Sequence, residues 1–101
     1  GYRAGMEAEP HEASDSDLLR RLLSLEQEER ALSARRRRLH DRIDFVRASG
    51  NADGSPVTSE QLEALDERER AISSERKTLH AQIRLVEEER ERRAGAAGQG
   101  P

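Results

Sequence analysis

Apolar residues in the first half of the chain recur every three or four positions, which is the spacing of one face of an α-helix. They are Leu18, Leu22, Leu25, Leu32, Leu39, Ile43 and Val46. In a heptad written a to g these residues occupy a and d, but Glu29 and Arg36 stand at two of the a positions. After the capping residues of Ser14-Asp-Ser-Asp17, the pattern predicts a helix over about 16–49 with charge in its apolar seam.

The second half of the chain repeats this arrangement after a turn. The stretch Asn51-Ala-Asp-Gly-Ser-Pro56 is a strong turn signal, and Thr58 followed by Gln61 is a capping box. A turn at 50–57 and a second helix over about 58–93 are therefore predicted. The apolar seam of this helix contains Leu62, Leu65, Ile72, Leu79, Ile83 and Val86, with Glu69 and Arg76 again at a.

Two helices of roughly 30 residues joined by a short turn fold back on each other. The predicted fold is all-α, an antiparallel two-helix coiled-coil hairpin over 15–93. The expected register pairs Leu32 with Arg76. The segments 1–14 and 94–101 have no hydrophobic periodicity and are expected to be disordered.

The composition agrees with long helices and argues against several classes of protein. Charged residues make up 39 % of the 101 residues, and Tyr2 and Phe45 are the only aromatic ones, which excludes an ordinary globular core. The lack of cysteine excludes disulfides and is compatible with a cytoplasmic location. No apolar run approaches the ~20 residues of a membrane span. A net charge of −3 argues against direct DNA binding as the main role.

A polar stripe occurs once in each helix with identical spacing. Glu, Ser, Arg and His lie within roughly 40° of one another on the helix surface. In an antiparallel pair the two stripes should converge on one flank, about a pseudo-twofold axis between Ala34 and Ser74. Such a surface suits a ligand or partner that is itself twofold. The stripes are Glu29, Ser33, Arg36 and His40, and Glu69, Ser73, Arg76 and His80.

Simpler interpretations account for some of these residues. Charges at a positions can merely fix register and strand number, although the repetition of the whole pattern favours binding. The run Arg35–Arg38 is interpreted as a solvated face, with Arg36 as the exception. His40 and His80, roughly 18 Å apart along the axis in this register, cannot share a metal ion. Ser33 and His40 lie about 10 Å apart, too far for nucleophile and base, and we expect no enzyme.

The chemistry of the stripe fits a guanine nucleotide. Arginine reads the acceptors on one edge of guanine, carboxylates accept hydrogen bonds from its N–H groups, and hydroxyl groups with arginine hold phosphate.

The stripe resembles the cyclic-di-GMP-binding signature of the RsiG family of anti-sigma factors, Glu-x3-Ser-x2-Arg-x3-Gln-x3-Asp on both helices of an antiparallel coiled coil. The first copy matches at Glu29, Ser33, Arg36 and Asp44, with His40 in the Gln place. The second matches at Glu69, Ser73 and Arg76, with His80 for Gln and Arg84 for Asp.

The resemblance implies that the hairpin binds two molecules of cyclic di-GMP as an intercalated dimer and, with them, holds a WhiG-type sigma factor away from RNA polymerase. The arginines would contact guanine and phosphate, the serines phosphate, and the acids guanine N–H groups. His40 and His80 can donate and accept as Gln does and would add pH sensitivity. Arg84 cannot accept a hydrogen bond and could instead meet a phosphate.

Two other interpretations stay open. The hairpin could be a coiled-coil interaction module without a ligand, or a cyclic-di-GMP sensor with another protein partner. Neither a metal nor a membrane is expected to take part, and self-association of the chain is left open.

Overall fold

The computed structural model describes residues 9–98, with side chains as far as residue 96. Two long helices follow a 3₁₀ turn at Pro10–Glu12. Helix α1 spans Asp15–Ser49 and helix α2 spans Ser59–Gly98. The helices pack against each other as an antiparallel hairpin, and no strand occurs in the described part of the chain. The predicted all-α hairpin is thus confirmed.

The hairpin consists of two compact units. The turn unit is Glu29–Thr78 and contains the end of α1, the turn and the start of α2. The terminal unit contains the remaining parts of both helices, from residues 9–28 and 79–98.

The core of the turn unit follows the predicted seam. Its buried side chains are Leu32, Leu39, Ile43, Val46, Leu65 and Ile72. The charged residues at the a positions are only half-buried. Arg76 reaches across to α1, with its Nε 3.0 Å from the Ser33 Oγ.

The terminal unit has a core of its own. Leu18 and Leu22 of α1 pack with Val86 of α2 in a buried cluster. Leu25 and Ile83 are partly buried against it. This cluster also contains Ala13, which lies before α1.

The segment before α1 is ordered at residues 9–14, although 1–14 were predicted to be disordered. Its backbone is held by Arg93, whose Nη2 donates to the carbonyl oxygens of Ala13 (2.7 Å), Pro10 (3.2 Å) and His11 (3.4 Å). Nη1 of the same guanidinium donates to Asp15 at 2.7 Å. One side chain of α2 thus satisfies backbone groups that the sequence pattern left without partners. Residues 1–8 lie outside the described part.

The helices begin close to the predicted positions. The Asp17 N–H donates to Ser14 Oγ at 3.1 Å, which identifies Ser14 as the N-cap of α1. The predicted capping box is present, since the Gln61 N–H donates to Thr58 Oγ1 (3.1 Å) and the Thr58 N–H donates to Gln61 Oε1 (2.9 Å).

The end of α2 differs from the prediction. The helix continues to Gly98, although a disordered tail was expected over 94–101. Alanines in this stretch have the highest helix propensity of any residue, whereas Gly95 costs only about 1 kcal/mol relative to alanine. Residues 99–101 lie outside the described part.

Two glycines shape the turn. Gly50 has φ 77° and its N–H donates to the Val46 carbonyl at 2.8 Å, as expected for a residue that ends a helix in the left-handed conformation. Gly54 has φ 86°. Asn51 and Ser55 close the turn through a backbone hydrogen bond of 2.8 Å from the Asn51 N–H to the Ser55 carbonyl.

Candidate functional site

All residues of the two polar stripes except His80 belong to the turn unit. Within each helix the serine donates to the glutamate one turn earlier, Ser33 to Glu29 and Ser73 to Glu69, both at 2.8 Å. We call the residues that gather here the polar cluster. Its members are Glu29, Ser33, Arg36, His40, Glu69, Ser73 and Arg76.

The two arginines of the cluster cross between the helices. Arg36 Nε donates to Glu69 Oε2 at 3.0 Å and to Ser73 Oγ at 3.3 Å. Arg76 Nε donates to Ser33 Oγ at 3.0 Å, and its Nη2 lies 3.4 Å from Glu29 Oε2. Each arginine therefore contacts the Glu–Ser pair of the opposite helix. This reciprocal bonding has the pseudo-twofold symmetry that the sequence predicts.

Glu69 accepts hydrogen bonds from both helices. Its Oε2 accepts from Ser73 and Arg36 and lies 3.2 Å from His40 Nε2. The Ser73 hydroxyl, then His40 and then Arg36, lower the pKa of Glu69 to about 2. Glu69 is therefore a carboxylate at any pH near neutrality.

The pairing leaves each charged group partly in solvent. The side chains of Arg36 and Glu69 are 36 % and 23 % exposed, and those of Arg76 and Glu29 are 26 % and 19 % exposed. Carboxylates of the opposite helix pair with both arginines of the seam. The exposed fractions are the surface that a ligand would contact.

The remaining predicted residues are Asp44, His80 and Arg84. Asp44 is exposed and lines a shallow groove together with His40 and Glu69. His80 and Arg84 are exposed residues of α2 in the terminal unit. Eight of the ten predicted site residues thus belong to the turn unit.

The groove beside His40 has two further charged residues that we did not single out from the sequence. Arg47 Nη2 lies 3.7 Å from Asp66 Oδ1, and both side chains line the groove. Asp66 stands one heptad before Ser73, at the same e position, and this periodicity is the signal that identifies it.

The charges of the glutamates and arginines in the cluster cancel. Its two carboxylates balance its two guanidinium groups. A guanidinium has five N–H donors, and the described bonds of Arg36 all start at Nε, so its far edge can take a bidentate acceptor such as guanine or phosphate. Across residues 9–96, no three His, Cys, Asp or Glu side chains are placed to share a metal ion.

Comparisons of the chain with models of protein families, with curated proteins and with solved structures find no match. Neither described helix is long and apolar enough to cross a membrane.

Proposed function

We propose that the chain is a cyclic-di-GMP-responsive anti-sigma factor that acts by binding and not by catalysis. The polar cluster binds a dimer of cyclic di-GMP, and the liganded hairpin sequesters a WhiG-type sigma factor from RNA polymerase. The observation that carries the proposal is the reciprocal bonding of the cluster, in which the same Glu, Ser and Arg contacts occur twice about a local twofold axis.

The symmetry of the cluster matches the chemistry of the ligand. Cyclic di-GMP has two guanines and two phosphates related by a twofold axis, so it needs each kind of contact twice. Arg36 and Arg76 supply two forks for guanine edges or phosphates. Glu69, with its pKa lowered to about 2, is an ionised acceptor for guanine N–H groups.

The helices that the hydrogen bonds join indicate which contacts exchange when the ligand binds. Each Glu–Ser hydrogen bond lies within one helix. The arginines, and His40 at 3.2 Å from Glu69, bond between the helices. In our proposal the arginines turn towards the ligand, and the Glu–Ser pairs stay in place as preformed acceptor sites.

The sigma factor enters the proposal through the resemblance to the RsiG family. Ligand bound on the flank of the cluster would present nucleotide and protein groups together to a partner. The action would take place in the cytoplasm and without a metal.

A second candidate function is a coiled-coil interaction module without a ligand. It is favoured by the internal pairing, because charges that satisfy one another across two helices can serve to fix register alone. The two candidates differ in what the arginines do for stability and for binding.

The double substitution Arg36→Ala plus Arg76→Ala tests the proposal. The matched control is Arg37→Ala plus Lys77→Ala, which makes the same change in charge at the next residue of each helix, where both side chains are exposed. Equilibrium dialysis with radiolabelled cyclic di-GMP should show loss of binding in the first variant and unchanged binding in the control, with helical circular dichroism retained in both. An unfolded Arg36/Arg76 variant next to a folded control would instead support the structural role.

The partner is tested separately by gel filtration of the chain with a WhiG-type sigma factor, with and without cyclic di-GMP. We expect co-elution that cyclic di-GMP strengthens and that the Arg36/Arg76 variant weakens. If cyclic di-GMP binds but the two proteins do not co-elute, the nucleotide part of the proposal stands and the sigma-factor partner is contradicted.

A further inference from the structure

A second feature of the turn unit is a groove with arginine walls, which we call the arginine groove. Its walls are Arg35, Arg38 and Arg42 of α1 and Arg68 of α2, and its floor includes Leu39 and Ile72. Ala71 and Glu75 also line it, so Glu75 is its single acidic lining residue. None of these residues belongs to the polar cluster.

The arginines of this groove are not neutralised by the chain. Among the described residues, none of the four has a hydrogen bond or an ion pair. Arg35, Arg38 and Arg42 follow one another at intervals of three and four along α1, and like charges at these spacings destabilise a helix. The sequence alone indicates a solvated face for the run Arg35–Arg38, whereas in the structure Arg35 and Arg38 line one groove with Arg42 and Arg68.

The floor of the groove is apolar, unlike a surface that only holds anions. Leu39 and Ile72 lie at its base with 5 % and 7 % of their surface exposed. Phe45 follows Arg38 by seven residues and so lies on the same face of α1, and it is 62 % exposed. Apolar side chains between two charged walls are the pattern of a groove that receives an amphipathic helix.

We propose that the arginine groove is the docking site of an acidic amphipathic helix from a partner protein. The apolar face of that helix would pack on the exposed Phe45 and over the floor of the groove, and glutamates or aspartates on its two edges would pair with the arginines through bidentate hydrogen bonds. Docking would make a three-helix packing from the hairpin. The proposal goes beyond the nucleotide-dependent function and does not depend on it.

The lining of the groove favours a protein helix over nucleic acid. The floor is aliphatic, whereas sites for single-stranded nucleic acid present aromatic platforms for stacking. Phe45 is the only such ring among the residues described here.

The probe is a fluorescein-labelled synthetic helix of about 18 residues, with leucines along one face and glutamates on both edges. Two matched peptides replace all glutamates by glutamine or all leucines by serine. Fluorescence anisotropy with the full chain should show binding of the first peptide and at least about tenfold weaker binding of each matched peptide. Added salt should weaken the binding of the glutamate peptide.

The groove is tested with Arg38→Ala plus Arg68→Ala. The control Arg37→Ala plus Arg70→Ala removes the same charge from exposed arginines of the same helices that do not line the groove. We expect about tenfold weaker peptide binding by the groove variant and no change in the control. Both variants should keep the helical circular dichroism of the wild type, and Arg35→Glu provides a second groove variant if either substitution perturbs the fold.

Several results would overturn the inference. They are absence of peptide binding, equal binding by the groove variant and the wild type, or equal binding of the leucine and serine peptides. If labelled DNA binds as tightly as the glutamate peptide, the groove binds polyanions in general and not an amphipathic helix. A wild-type dimer that the groove substitutions dissociate, seen by sedimentation velocity, would assign the groove to a second copy of this chain.

Discussion

Neighbouring hydrogen-bond donors hold two glutamates as carboxylates, one in each of the two units. Glu69 accepts from Ser73, His40 and Arg36 in the polar cluster, and its pKa falls to about 2. Glu89 is 7 % exposed in the terminal unit, and Arg93 and then Arg92 lower its pKa. Protonation of either group breaks bonds that only the folded chain has, so both carboxylates link stability to pH.

The pH dependence has a definite sign at Glu69. The folded pKa of about 2 lies below the ordinary value of 4.5, so the unfolded chain binds protons first as the pH falls. The contribution of Glu69 is fully present above pH 4.5 and is lost progressively between pH 4.5 and about 2. Glu69→Gln should therefore reduce the fall in melting temperature that the wild type shows over this acidic range.

Thermal melting by circular dichroism between pH 7 and pH 2.5 makes this comparison. The control is Glu67→Gln, an exposed neighbour outside the polar cluster, which should melt with the acid dependence of the wild type. If Glu69→Gln loses stability in acid as steeply as the wild type, the bonding assigned to Glu69 is wrong.

Arg93 gives a second test at the scale of one residue. Asp15 and then Glu89 raise the pKa of its guanidinium, and Nη2 holds the carbonyl oxygens of the segment before α1. Arg93→Ala should release that segment while both helices persist. Hydrogen exchange measured by mass spectrometry should then show faster exchange at Glu12 and Ala13, whose N–H groups bond within the 3₁₀ turn.

Arg92→Ala is the matched control for Arg93. It removes a partner of Glu89, with bonds of 2.7 and 3.2 Å, but leaves the backbone contacts of Arg93 unchanged. Exchange at the 3₁₀ turn should therefore stay slow in this variant. Equal acceleration in both variants would show that Glu89, and not the backbone contacts, orders the segment.

The turn element depends on two glycines in unequal ways. Both have positive φ, which costs an alanine roughly 1–2 kcal/mol. A Cβ on Gly50 would also lie 2.8 Å from the Ser55 carbonyl oxygen, whereas nothing lies within 4 Å of a Cβ on Gly54. Gly50→Ala should therefore lower the free energy of unfolding more than Gly54→Ala, which should cost about 1–2 kcal/mol. Urea denaturation of the two variants measures the difference, and an equal loss would contradict the close approach to Ser55.

The buried seam of the two helices and the start of α2 could be predicted from the sequence. The apolar periodicity identifies the buried seam, and Thr58 with Gln61 identifies the start of α2, because both signals depend on residues close in sequence. The ordered segment before α1 could not be predicted in this way. It is held by Arg93, about eighty residues away in sequence, and nothing in its own residues shows that contact.

At the scale of the whole molecule, the candidate site was predicted in part. The identical spacing of the two stripes predicts that Ser33 and Ser73 share one flank, and the cross-helix bonds of Arg36 and Arg76 confirm it. The hydrogen-bond partners of the arginines depend on how the two helices are aligned, which the heptad pattern alone does not fix. The arginine groove was missed because its walls come from both helices, and each helix alone shows only exposed charge.

The central claim concerns the whole hairpin, namely that its duplicated cluster reads a twofold guanine dinucleotide. Isothermal titration calorimetry of the full chain with cyclic di-GMP tests it most directly, with GTP and cyclic di-AMP as controls and with the titration repeated in the presence of a WhiG-type sigma factor. We expect cyclic di-GMP alone among the three to bind, at micromolar affinity or better and with two ligands per hairpin. Absence of cyclic-di-GMP binding both without and with the sigma factor would contradict the account.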